Sequence, residues 1–409
     1  MAGLAGLTLA GACTASEPLP QGHQQIGTRI HLTPADMPAP FTTGSSGNSA
    51  RRIARPANAR PRVPDGFTAS IFAEGFGSAR WLHVLPNGDV LLAEAGDGRI
   101  TLLRDGDGDG KAEQRATFAE GLDEPHGMVL IGDHVFVGEL SQIRKIRYRP
   151  GHLGRGGAPE DVTKPGSLGS GFGHWTRILA LSPDGKTLFA SVGSIGNVDE
   201  EDPPRATIQS FAADGSAQRT YAGGLRNPVG MDFHPVTGQL YTVVNERDGY
   251  GDEMVPDFLS SVQDGGFYGW PYAYIGPNPD PEYGAQAPEK VKRTLVPEVL
   301  FRSHSAPLGL AFYDGEQFPA SYRGDAFVAL HGSWNAARPR GYMIVRVPFD
   351  KNGRAEGSYE IFSAGFWASG RRTASVWGRP AGLAVAKDGA LLIADDVANL
   401  VWRIAYTGK

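Results

Sequence analysis

Basic and imidazole side chains recur at matched places along this chain. In "HWTRILALSPDGKTLFASVGS", His174 and Arg177 precede two apolar runs joined by a Pro-Asp-Gly turn. The same order returns in five further segments, led by Arg80, His126, Arg226 with Asn227, His304 and Arg379. An imidazole titrating near neutral pH can take a proton from a hydroxyl. An arginine presents a planar fork that fits a carboxylate. Gathered in one place, these groups repel one another unless a compact anion lies among them. The chemistry implied is a site for a polyanion. "HGSWN" ends the second run of the fifth copy in a Gly/Ser turn and can add His331 and Asn335 to that site.

Two acidic loops could take cations. "NERDGYGDE", from Asn245 to Glu253, sets four acidic groups between glycines and suits a hard cation held by backbone and carboxylate oxygens. "DGDGDGKAE" spaces Asp105, Asp107, Asp109 and Glu113 like the front of a calcium loop, without the closing bidentate Glu. A second calcium site and a solvated acidic turn are both open readings there. The aromatic insertion "FYGWPYAY", Phe267 to Tyr274, either walls a pocket or packs on a rim.

Each copy is a hairpin, and linking runs such as "RITLLRD" and "LVWRIAY" bring the count to about four strands per copy. With 56 Gly and 30 Pro in 409 residues and no collagen period, the composition favours many short strands. The expected fold is all-β, a six-bladed β-propeller with four-stranded blades. In that architecture the innermost strands start on one face around a channel, so the six leads converge. Four copies carry Gly two or three residues after the lead, expected to let the backbone turn tightly into the strand.

The formal charge of −5 argues against nucleic acid as a partner. Cys13 is the only cysteine, so no intramolecular disulfide forms. Residues 1–13 are apolar, too short to span a bilayer, and read as the end of a secretory signal. "LAGAC" resembles a lipoprotein cleavage site with Cys13 lipidated. That predicts a periplasmic or exported protein whose membrane attachment is a lipid at Cys13. Residues 14–64, rich in Pro, Ser and Arg, have the composition of a disordered linker, with Arg51, Arg52, Arg55, Arg60 and Arg62 on a solvated arm. The catalytic propeller is expected over residues 65–409.

In the order "GHWTR", "GLRNPVGMDF", "NERDGYGDE", "GGFYGWPY", "HGSWN" and "GRPAGLAV", the sequence resembles the quinoprotein glucose/sorbosone dehydrogenases. These are six-bladed propellers that use pyrroloquinoline quinone (PQQ) and calcium. The resemblance implies oxidation of a sugar or sugar-derived aldehyde, by hydride transfer to the quinone, with electrons passed to a cytochrome c or a quinone. It implies His174 as general base, with Arg226 and Asn227 near the quinone oxygens. Arg379 and Arg80 would bind carboxylates, and backbone carbonyls of Arg247 and Asp248 would ligate calcium. His126, Arg177, His304, His331 and Asn335 complete the expected cofactor shell, His331 standing where soluble glucose dehydrogenase has a Lys. Gly173 stands where the family often has Asp, and the span from His174 to Arg177 is one residue shorter.

Two other classes compete. A calcium-dependent lactonase-like hydrolase needs acidic and Asn ligands pointing into the channel; Asn227, Glu246, Asn335 and Asp395 could serve, but the basic lead ring disfavours it. A non-enzymatic glycan- or protein-binding propeller would use the basic ring for another anion.

Overall fold

A computed structural model describes residues 18–19 and 22–408. Six antiparallel sheets follow one another along the chain, five of four strands and one of five. Each opens with a strand just after a lead residue or containing it: Ala79–Val84, Met128–Ile131, Leu179–Leu181, Asn227–Phe233, Pro307–Phe312 and Pro380–Val385. These opening strands lie side by side in chain order, and the sixth returns to the first. The expected all-β architecture is borne out.

The second strands are built for burial on both faces. Val90–Glu94 and Ala326–Leu330 are buried at every position, as strands between two packed layers must be. The clusters between neighbouring sheets follow from this. Tyr241, Val243 and Leu259 of the fourth sheet pack with Leu310, Phe312 and Val328 of the fifth. The ring closes through strand Phe67–Glu74, which pairs antiparallel with Leu400–Tyr406 near the C-terminus.

The repeated glycines have a different purpose from the one the turns suggested. A Cβ on Gly127, Gly230, Gly309 or Gly382 would come within 2.2–2.8 Å of backbone atoms of the next sheet. None of the four has positive φ. They permit close approach between opening strands rather than a tight turn.

The linker expectation fails over its described part. Arg29–His31 adds a fifth strand to the fifth sheet by pairing with Ser358–Ser363. Arg51–Arg52 pairs with Ser375–Val376, and Ile26, Ile30, Ile53 and Val63 pack on the body. The arm gains order from partners some 300 residues away, which local composition cannot reveal. The expected signal, residues 1–13 with Cys13, lies outside the described residues. Among the described residues no helix is long and apolar enough to cross a membrane.

Candidate active site at the mouth of the channel

The starts of the opening strands and the ends of the second strands surround a cavity of about 390 Å³. Arg80, His174, Arg226, Asn227, Asp248, His304, His331, Asn335 and Arg379 all line it. Nine residues singled out from the sequence therefore meet at one place. A larger cavity, about 670 Å³, lies between the arm and the body, lined by apolar arm side chains, by His23 and by Arg302, Arg338, Arg340 and Arg371.

His174 is held with one ring nitrogen left free. Its Nδ1 lies 2.9 Å from the Ser194 carbonyl and 3.1 Å from Ser194 Oγ. With Nδ1–H donating to that carbonyl, the Nε2 lone pair is left for a substrate. Burial, and behind it the charge of Arg226, lowers the His174 pKa to about 4. The ring is thus neutral at physiological pH, well away from the near-neutral titration expected from the sequence. Two glycines make this placement possible. A Cβ on Gly193 would lie 2.5 Å from Asn227 Oδ1 and 2.6 Å from His174 Cβ. Gly173 has φ +78°, and a Cβ there would meet the Ile195 backbone at 2.3 Å. The Gly standing before His174 is therefore required by the backbone.

The cations bring their own anions, which the repeat did not disclose. Asp396 accepts from Arg80 Nη1 and from His331 Nε2 at 2.9 Å. Against a burial penalty that would raise it, His331 and Arg80 hold Asp396 far below the usual carboxylate range. Burial and Arg379 lower His331 to about 4, so a neutral ring donates Nε2–H to that carboxylate. Across the cavity, Asp248 lies 3.4 Å from Arg226 Nη2 and 3.5 Å from His304 Nδ1, and it accepts from Asn335. Burial opposes charge on His304, yet Asp248, the Gly251 carbonyl and Asp257 raise its pKa. Below them, burial pushes Glu246 up to about 7 and Asp257 up to about 6.

Asn197 ties this half together and was not visible in the sequence. Its carbonyl accepts from Arg226 Nε at 3.0 Å and from Trp270 Nε1 at 3.0 Å. Its Oδ1 accepts from Arg226 Nη2 and from the Asp248 amide, while its Nδ2 donates to the Asp248 carbonyl. The aromatic insertion packs on the rim and reaches the site through this residue.

Six expected site residues do not line the cavity. His126 is fully buried between the rings of Trp81 and Trp175, 5.7 and 4.7 Å away. Arg177 is also fully buried, and its guanidinium donates to the carbonyls of Leu168, Ser170, His174 and Thr176. It shapes the loop that carries His174. The Arg247 side chain turns away to Asp280 and lies 4.0 Å from the Tyr250 ring centre. Asp105, Asp107, Asp109 and Glu113 bring carboxylate oxygens within 4.8 Å of one another, but on a loop between the third and fourth strands of the first sheet. The antiparallel order places that loop at the end opposite the mouth.

Sheets closed around a channel, with a basic mouth balanced by its own carboxylates, define a β-propeller with its ligand site at one end. The chain belongs to the TrAA12-like family, whose model matches residues 61–256 and 286–407. It is 28% identical over 225 residues to the pyrroloquinoline quinone-dependent pyranose dehydrogenase of Coprinopsis cinerea, covering 43% of this chain and 30% of that protein. An uncharacterized protein of Borreliella burgdorferi is 32% identical over 235 residues, 57% of this chain and 61% of that one. The matched stretches span less than two thirds of either relative. The holo form of the Coprinopsis cinerea pyranose dehydrogenase PQQ domain shares the fold with a TM-score of 0.73. Its identity is 21%, over 87% of this chain and 100% of that one. The resemblance read from the motifs is thus borne out at the level of family and fold.

Proposed function

We propose that the chain is a six-bladed propeller oxidoreductase that uses PQQ and calcium to oxidise a sugar or sugar-derived aldehyde, aldose or sorbosone-like, with His174 as general base. One observation carries the reading: a neutral imidazole, fixed through Nδ1, faces a cavity also lined by Arg80, Arg226 and Arg379.

The uncommitted donors of Arg80 and Arg379 fit a tricarboxylate, while the acceptor Asn227 Oδ1 would meet a hydroxyl or water. Arg80 Nε and Asn227 Oδ1 are buried without partners, an expensive arrangement unless a ligand or water meets them. Arg379 spends Nε and Nη2 on the carbonyls of His331 and Gly332, which leaves Nη1 uncommitted. Arg80, Asn227 and Arg379 would hold the quinone, with His304, His331 and Asn335 beside them. Asp248 and the carbonyls of Arg247 and Asp248 would hold calcium. Bound there, the pair would supply a two-electron acceptor and a Lewis acid.

The residues of the chain do the rest. His174 Nε2 accepts the substrate hydroxyl proton while Nδ1–H stays on the Ser194 carbonyl, so the ring keeps its orientation. The imidazolium formed stands near Arg226, an unfavourable pairing that drives the proton onward to water. Arg226, held by the carbonyls of Asn197 and Glu246, is a fixed positive charge at the reacting centre. The hydrolase alternative keeps Asn227, Glu246 and Asn335 in the cavity lining but loses Asp395, and the basic ring around them disfavours it. The Asp395 carboxylate instead accepts from the amides of Arg379, Val397 and Ala398 and from Trp402 Nε1. The reading includes export to the periplasm, with an anchor at Cys13 and a cytochrome c or quinone as electron acceptor.

The test is reconstitution. Chain purified from cells lacking PQQ should reduce a dye with aldoses only after PQQ and calcium are added. Metal-dependent lactone hydrolysis without PQQ, or no activity of either kind, would overturn the assignment.

A further inference from the structure

Between Phe41 and Asn48 the N-terminal arm crosses the rim of the mouth. Phe41 donates its amide to the Tyr250 carbonyl at 2.8 Å, and its ring meets Tyr250 edge-on at 4.8 Å. It holds φ +67°, a left-handed conformation that a bulky residue keeps only when its surroundings impose it. Thr43 Oγ1 accepts from the Asp252 amide at 2.8 Å, and Ser45 Oγ from the Gly251 amide at 3.1 Å. A Cβ on Gly251 would lie 2.6 Å from the Thr43 carbonyl oxygen, so arm and loop touch backbone to backbone.

Asn48 ties the arm to a second loop, 334–337, and also to the turn at 372–373, away from the mouth. Its amide donates to the Trp334 carbonyl at 2.6 Å. Its Nδ2 donates to the carbonyls of Ala336 at 2.9 Å and Arg372 at 2.7 Å, and its Oδ1 accepts from Thr373 Oγ1 at 2.8 Å.

Both loops lead to one cluster in the mouth. The Gly251 carbonyl faces His304 Nε2 at 3.0 Å, and the other nitrogen of that ring lies 3.2 Å from Asn335 Nδ2. Asn335 in turn donates to the Asp248 carboxylate. The arm has other anchors that suffice to attach it, the strand pairings of Arg29–His31 and Arg51–Arg52 and the packing of Ile53. The polar contacts at 43–48 are additional to these, and they end at the site.

We propose that Asn48, with Thr43 and Ser45, positions the catalytic mouth: the arm fixes the 248–252 and 334–337 loops so that Asp248, His304 and Asn335 are in place before a ligand arrives. The claim rests on the PQQ reading only for its second readout.

The first readout needs no ligand. In Asn48→Asp, which keeps the shape but loses the Nδ2 donors, amides of 248–252 and 334–337 should exchange with deuterium about tenfold faster, the scale of one lost hydrogen bond. The sheets should not change. Ile53→Ala, which loosens the arm at a distant anchor, should leave both loops as in the wild type. The second readout is PQQ affinity with calcium, followed by tryptophan fluorescence. Its dissociation constant should rise about tenfold in Asn48→Asp, while kcat at saturating PQQ stays within about twofold because His174 stands on another sheet. Unchanged loop exchange in Asn48→Asp, or equal loosening in Ile53→Ala, overturns the proposal. If the loops loosen and wild type binds no PQQ, the positioning role stands and the PQQ reading falls.

Discussion

The same six opening strands run between two cavities, one at each end of the channel. At the far end a space of about 540 Å³ is walled by Leu82, Met128, Ile178, Met231, Leu310 and Leu383, with His83, Asp232 and Asp314 as its titratable groups. His83 and His174 make the contrast direct, because burial lowers both to about 4. Only His174 has a ring nitrogen fixed by a carbonyl and three arginines lining the space before it. A depressed imidazole is therefore not enough to mark a base. Orientation and the charges facing it separate the mouth from the apolar far end.

The most severe break of that contrast is His174→Ala. Loss of a positioned base typically costs about 10²–10⁴ in turnover. Dye reduction by the reconstituted variant should fall in that range with PQQ affinity kept, whereas His83→Ala should remain active. For wild type, the loss of kcat/KM that belongs to His174 should come only towards its value of about 4, below any steps that Glu246 near 7 and Asp257 near 6 add from the same cavity. A decline centred near 6.5 that persists in Glu246→Gln and in Asp257→Asn would mean that the mouth does not desolvate the ring as the structure implies.

Gly193→Ala probes geometry at the same end while leaving the imidazole itself in the chain. The added methyl overlaps Asn227 Oδ1 and His174 Cβ, so the ring must shift. A displacement of this kind can cost about 10² in kcat, with much less effect on folding. Wild-type turnover in this variant would show that His174 has slack.

Asp396→Asn removes the anion between Arg80 and His331 while keeping its shape. Breaking a largely buried pair costs about 3 kcal/mol, so Tm should drop by several degrees. Added sulfate or PQQ should restore more stability to this variant than to wild type, since an external anion then fills the role. Equal stabilisation of both proteins would show that Asp396 does not stand in for a ligand charge.

The contrast between ends also explains what could be read without coordinates. Arg80, His174, Arg226 and Arg379 were legible because they repeat with the strands, and apolar periodicity fixes where each strand begins. His126 and Arg177 hold equivalent leads yet are walled in, since neighbouring packing decides which side of a strand end faces the channel. Asp396 was missed because its partner Arg80 lies 316 residues away and no local spacing links them. Asn197 and Ser194 act through backbone carbonyls, which any residue type possesses. The arm looked like a linker for a related reason: its order comes from edges that sit far along the chain.

The smallest effect belongs to the far end and concerns stability alone. Asp232 accepts the amides of Phe233 and Phe312, each at 2.8 Å, and so ties the fourth sheet to the fifth. Although partly open to the far cavity, its carboxyl is crowded by protein, and burial pushes its pKa up to about 7. In the unfolded chain an aspartate titrates near ~3.9. Between these values the native state holds a proton that the unfolded state has released, so this group's contribution falls as pH rises through the window. The slope is at most about 1.4 kcal/mol per pH unit. Asp232→Asn cannot titrate, whereas every other group titrates alike in both proteins. The Tm advantage of wild type over Asp232→Asn should therefore shrink from pH 5 to pH 8. A gap that stays constant or widens would mean that Asp232 is ionised throughout, and that the far end is wetter than its apolar walls imply.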